Sequence, residues 1–149
     1  MTEIPRSALL LGLAGLLPFA WGAATVLYPA LAHVTAPLGD RFAGGPVLVA
    51  YGTVILCFLS GALWGFATKA ETTLAIRSYG LSVLPALWAF FFVGGTIGQS
   101  ISALLVGFLV LITLDLQFTL WKLVPPWWMR LRILLTIGVI AALLIGLNA

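Results

Sequence analysis

Charge is what this chain has least of. Its 149 residues carry only 7 Lys+Arg and 4 Asp+Glu, 7% of the total, where a soluble domain carries about 25%. So few charges cannot coat a water-soluble globule, and a soluble enzyme, a nucleic-acid binder and a disordered tail are excluded with it. There is one cysteine, Cys57, so no intrachain disulfide can form and a disulfide-stapled secreted module is excluded. There is one histidine, His33, and a lone histidine makes neither a metal site nor a bis-histidine haem site within one chain. HExxH, GxSxG, Walker and CxxC motifs are all missing, as is a carboxylate pair suited to acid–base work. Ser60 and Ser82 have no activating base near them in sequence. The chain therefore reads as non-enzymatic, without a cofactor and without a nucleic-acid partner.

What is present is hydrophobic: 62% of the residues. A helix needs about 20 mostly apolar residues to cross a hydrocarbon core of about 30 Å. The charge-free run after Arg6 holds a first span at 8–28, with Pro18 inside it as a candidate kink and Pro29 and Pro37 marking its exit. The run from Phe42 to Thr68 holds a second at 47–67. The run from Ser78 to Leu114 is too long for one helix, and the segment Gly94-Gly95-Thr96-Ile97-Gly98-Gln99-Ser100 divides it. That gives spans at 76–94 and 101–121. Pro125-Pro126 ends the fourth, and 131–147 is the fifth. The expected fold is an all-α integral membrane protein, one transmembrane domain of five helices over residues 1–149. A β-barrel would alternate polar and apolar residues in short segments, and these runs are continuous. The first span is longer than the apolar core of a signal peptide, about 7–15 residues. Thr2-Glu3-Ile4-Pro5 is not a basic leader, so that span is expected to be retained.

With five spans, Arg6, Lys69, Arg77, Lys122, Arg130 and Arg132 fall on one side of the membrane and Arg41 on the other. Short loops rich in Lys and Arg stay in the cytoplasm, which predicts a cytoplasmic N-terminus and a periplasmic C-terminus. A span count wrong by one would scatter this bias. Tyr79, Trp121, Trp127 and Trp128 gather at the same predicted boundary and Tyr28 at the other, as interfacial aromatics do.

Four stretches carry a resemblance: Leu9–Phe19 (LLLGLAGLLPF), Tyr51–Gly65 (YGTVILCFLSGALWG), Ser82–Pro85 (SVLP) and Pro125–Thr136 (PPWWMRLRILLT). Together they resemble a family of small bacterial membrane proteins, domain of unknown function 3429, which has a mitochondrial member. The resemblance covers nearly the whole chain. It implies a five-helix protein of the bacterial cytoplasmic (inner) membrane and no established activity. The family pattern commonly has a histidine before the Trp-Gly of the second helix, where this chain has Leu63 before Trp64-Gly65, so no titratable role carries over there.

Asp115 is the one ionisable residue well inside a span, and such residues face a partner or mark a pathway. Thr119 and Lys122 follow it at helical spacing, and Arg130 and Arg132 return on the next helix. This set reads first as an ion pair fixing the fourth helix to the fifth, and second as a proton or ion relay or a docking charge. Trp127, Trp128, Arg130 and Arg132 form a short amphipathic turn that anchors the fifth helix at the interface or contacts lipid head groups or another subunit. Thr53, Cys57, Gly61 and Gly65 make a small-residue stripe at spacing four, expected to seat a neighbouring helix, first one of the same chain and second one of another protein. Gly138, Ala142 and Gly146 repeat the pattern in the fifth helix.

The leading functional expectation is an accessory subunit, stabiliser or assembly partner of a larger membrane complex, energy-transducing by analogy with the mitochondrial member. Its partners would be membrane lipids and other integral membrane subunits. A small oligomeric transporter or channel is the alternative, with Pro18 and Pro85 as helix-breaking candidates. A lipid- or quinone-binding protein is another, with Trp64, Trp88 and Phe90-Phe91-Phe92 as its apolar pocket.

Overall fold

A computed structural model describes residues 3–148 of the chain. Five helical units in it are long and apolar enough to cross a membrane: Arg6–Leu27, Gly44–Ala67, Thr72–Phe92, Ile97–Leu120 and Trp128–Gly146. Two of these units are broken near their middles, each just before a proline. The first divides into α1 (Arg6–Ala14) and α2 (Leu17–Leu27). Pro18 lacks the amide that would bond the Ala14 carbonyl, and its ring crowds that carbonyl. The third divides into α4 (Thr72–Ser82) and α5 (Leu84–Phe92) ahead of Pro85. A break inside hydrocarbon frees backbone groups that water cannot reach. Here the Ser60 hydroxyl, on the helix alongside, donates to the Ser82 carbonyl.

The unbroken helices are α3 (Gly44–Ala67), α6 (Ile97–Leu120) and α7 (Trp128–Gly146). At 1.5 Å per residue, the 24-residue α3 and α6 are each about 36 Å long, enough to cross with some tilt. They form the central pair. Leu48, Leu56 and Leu63 of α3 meet Leu104, Phe108, Leu111 and Phe118 of α6 in one buried core. On one side of this pair lie α2 and α7, on the other α4 and α5, while α1 packs chiefly on α7. Close approach depends on missing side chains. A Cβ on Gly22 would lie 2.6 Å from Leu48 Cδ2 and 2.7 Å from its Cγ, and one on Gly107 would lie 2.6 Å from Leu56 Cδ2. The outside is as apolar as the inside, with Phe90 and Ile76 more than three-quarters exposed. A helix hydrophobic all round belongs in a core or in lipid, and these faces have no core to enter.

All five units start earlier than the sequence suggests, the first at Arg6 and the second at Gly44. The third unit starts at Thr72, the fourth at Ile97 and the fifth at Trp128. For the fourth the reason is a capping box. The Thr96 hydroxyl accepts from the Gln99 amide at 3.2 Å, and the Gln99 side chain accepts from the Thr96 amide at 3.0 Å. The break is therefore confined to 93–96, and Gly98, Gln99 and Ser100 are helical. The loop between α2 and α3 winds through short 3₁₀ turns at Pro29–Val34, Ala36–Leu38 and Asp40–Phe42. It is pinned where the Trp21 indole donates to the Phe42 carbonyl at 2.8 Å and the Gly44 amide donates to the Thr25 hydroxyl at 2.7 Å.

Candidate functional site: a buried acid, its two donors and the cleft behind them

Asp115 sits on the inner face of α6, five residues before its end and 1% exposed. A carboxylate in that setting is costly unless every oxygen is matched. Its Oδ2 accepts from Arg132 Nε at 2.8 Å and its Oδ1 from Trp128 Nε1 at 2.7 Å. Trp128 and Arg132 are four residues apart on α7, so one helical face presents both donors one above the other. The Trp128 ring packs edge-on against Phe66 at 4.8 Å between centroids, which ties the end of α3 to the same point. The last turn of α3, the last turns of α6 and the first turn of α7 are thereby joined at one end of the bundle. The Thr119 hydroxyl adds a local bond to the Asp115 backbone carbonyl at 2.8 Å.

Lys122 does not join this set. It lies outside α6, exposed, with φ +57°. Its amide bonds the Thr119 carbonyl and the next amide, that of Leu123, bonds the Phe118 carbonyl. That pair of bonds is a Schellman ending, in which the left-handed position is normally glycine. The turn that closes the helix therefore takes Lys122 off the face that Asp115 occupies. Arg130 is exposed, and Trp127 is half-buried beside Trp128, with 6.1 Å between ring centroids.

The expected packing of Thr53, Cys57, Gly61 and Gly65 within the chain is corrected. Cys57, Gly61 and Gly65 are exposed, and a Cβ on either glycine would meet nothing within 4 Å. The face of α3 that enters the core is instead Gly52, Leu56, Leu59, Leu63 and Ala67. The two stripes lie side by side on the helix, and the core takes the one with the larger side chains. The α7 stripe does pack inward, with Ala142 and Gly146 buried and Gly138 against Leu16. The aromatic pocket is corrected in part. Trp88 stacks on Phe92 at 4.2 Å and, with Phe91, lines a shallow apolar groove. Trp64 lies elsewhere, against Tyr79, and Phe90 points outward. His33 is exposed in the loop before α3.

Sequence reasoning missed a cleft of about 320 Å³ between the α1–α2 break, α3, α6 and α7. Its walls are almost wholly apolar, but Arg132 and Thr136 reach it. Arg132 Nη2 and Thr136 Oγ1 are both buried without a hydrogen-bond partner among the described residues. An orphaned buried donor costs about 1–3 kcal/mol, so two on adjacent turns are a conspicuous expense. The sequence signal was available: Trp128, Arg132 and Thr136 recur every four residues, a polar line along an otherwise apolar helix.

Five apolar helical units, fastened at one end by an intramembrane ion pair, define a multi-pass membrane protein. The chain belongs to the family described as "Protein of unknown function (DUF3429)", which matches residues 4–148. It is similar to the Xenopus tropicalis protein named Transmembrane protein 69, with 33% identity over 147 residues that cover 96% of this chain and 54% of that protein. The chain thus spans about half the length of that curated relative. No solved structure matches.

Proposed function

We propose that this protein is a non-enzymatic scaffold, an accessory subunit, stabiliser or assembly partner of a larger membrane complex. The observation that carries this reading is how its intramembrane acid is used. Both side-chain oxygens of Asp115 are held by Trp128 and Arg132 of the same chain. A carboxylate that relays protons or ions must be reachable from a pathway, whereas this one fastens α6 to α7. With the acid committed to architecture, function falls to surfaces. The face offered to a partner helix is the open side of α3 around Cys57, Gly61 and Gly65, where small side chains permit close backbone approach. By family analogy, the complex is energy-transducing.

The orientation proposed is N-terminus in the cytoplasm and C-terminus in the periplasm of a bacterial cytoplasmic membrane. With Arg132 engaged in the ion pair, the exposed basic residues Arg6, Lys69, Arg77, Lys122 and Arg130 still outnumber Arg41 five to one across the two sides. The native Cys57 gives the docking test. A photo-crosslinker attached there in native membranes should yield one protein adduct of defined mass, lost when Gly61 and Gly65 are both changed to Leu. Adducts with lipid alone would refute the docking face.

A further inference from the structure

The cleft behind the ion pair has the features of a built binding site. Its volume of about 320 Å³ falls within the range of small-molecule sites, about 300–1,000 Å³. Leu16, Phe19, Phe108 and Val139 give it an apolar wall. Into that wall are set two polar groups without a hydrogen-bond partner among the described residues, Arg132 Nη2 and Thr136 Oγ1, with their residues 4% and 7% exposed. They come from residues one helical turn apart on the same face of α7, and both residues line the one cleft. Arg132 is held in place from behind, because its Nε is fixed on Asp115 at 2.8 Å. The guanidinium is thus held at the wall of the cleft with its Nη2 still lacking a hydrogen-bond partner among the described residues. At the rim, Leu11 and Phe58 are largely exposed on the outer surface of the bundle, so a ligand reaches the cleft sideways, from the hydrocarbon.

Charge selects the ligand class. Arg132 and Asp115 neutralise one another, so an anionic head group would place an uncompensated charge in a medium of low dielectric. An uncharged oxygen acceptor adds no charge and satisfies both orphaned donors. We propose that this cleft binds an apolar molecule through a carbonyl oxygen, which accepts hydrogen bonds from Arg132 Nη2 and Thr136 Oγ1. A lipid acyl ester and a quinone share that chemistry, and both reside in the bilayer.

The test uses the full chain in mild detergent, stripped of lipid, with three probes: dioctanoylglycerol, a decyl-substituted benzoquinone and decanoate. Binding is read from the fluorescence of Trp127 and Trp128, which line the cleft, and from the melting temperature. At least one carbonyl probe should bind saturably and raise the melting temperature. Thr136→Val removes the hydroxyl at nearly constant volume and should weaken that binding about tenfold, the worth of one hydrogen bond. Thr136→Ser should retain it. Binding of dioctanoylglycerol alone identifies an acyl ester, and binding of the benzoquinone alone identifies a quinone. The proposal is overturned if neither carbonyl probe binds saturably, if decanoate binds more tightly than both, or if Thr136→Val binds as the parent does. Thr136→Val relieves a buried orphan, so it should fold at least as well as the parent, and loss of binding cannot be ascribed to unfolding.

Discussion

Removing Asp115 should destabilise the protein far more than removing the whole ion pair. At the observed 2.8 Å separation, two unit charges attract by about 6 kcal/mol at an effective dielectric near 20. Taking each ion out of water costs several kcal/mol, so the intact pair contributes little net stability. Its loss on one side is another matter. Asp115→Leu leaves a guanidinium that is 5% exposed with no counter-charge, and breaking a buried pair this way costs about 3–5 kcal/mol. Arg132→Met should cost about the same by stranding the carboxylate. The double variant Asp115→Leu/Arg132→Met strands no charge. It should cost only about 1 kcal/mol, chiefly from the Trp128 indole left without its acceptor. The assay is reversible unfolding by sodium dodecyl sulfate titration in mixed micelles, on the parent, both single variants and the double. The expected coupling is large, because the single effects should fail to add by several kcal/mol. If Asp115→Leu costs less than about 1 kcal/mol, or if the two single effects simply add, the ion pair is not what fastens α6 to α7.

Trp128→Phe keeps the packing on Phe66 but removes the bond to Asp115, and should cost about 1 kcal/mol in the same titration. Gly22→Ala pushes a methyl into Leu48 on the facing helix and should cost about 1–3 kcal/mol; a neutral result would mean that α2 and α3 are not in close contact. Lys122→Gly relieves the left-handed turn after α6 and should stabilise the fold by about 1 kcal/mol. Lys122→Ala, which keeps the strain, should not.

The architecture was legible because its signals are compositional and long. Long apolar runs, most of them bounded by basic residues and one divided by its Gly-rich segment, mark five spans, and Pro18 sits beside a break that the structure contains. Boundaries were less legible where polar residues stay inside a helix. Gly98-Gln99-Ser100 looks like punctuation, and only the pairing of Thr96 with Gln99 shows it to be a helix start. The α6–α7 ion pair was visible in outline from Asp115 and Arg132. Trp128 as its second donor was not, because an interfacial tryptophan has a sufficient explanation in anchoring. Face selection on α3 was the least legible. In water, polarity tells the inner face of a helix from the outer; in lipid both are apolar. Thr53, Cys57, Gly61 and Gly65 therefore resemble a packing seam whether the neighbour is the chain's own helix or another molecule. The cleft depends on the break between α1 and α2 and on the distance between helices, which hydropathy does not encode.

The central claim is that this protein works by assembly, and its native mass tests that claim most directly. Membranes from the native source, extracted in mild detergent, should release this 15.8 kDa chain in stoichiometric company with a larger complex of membrane subunits. Asp115→Leu should reduce the amount recovered by destabilising the chain, and the Gly61→Leu/Gly65→Leu variant should release it from the complex while leaving it folded. Migration of the parent chain alone, or only with copies of itself, would contradict the account.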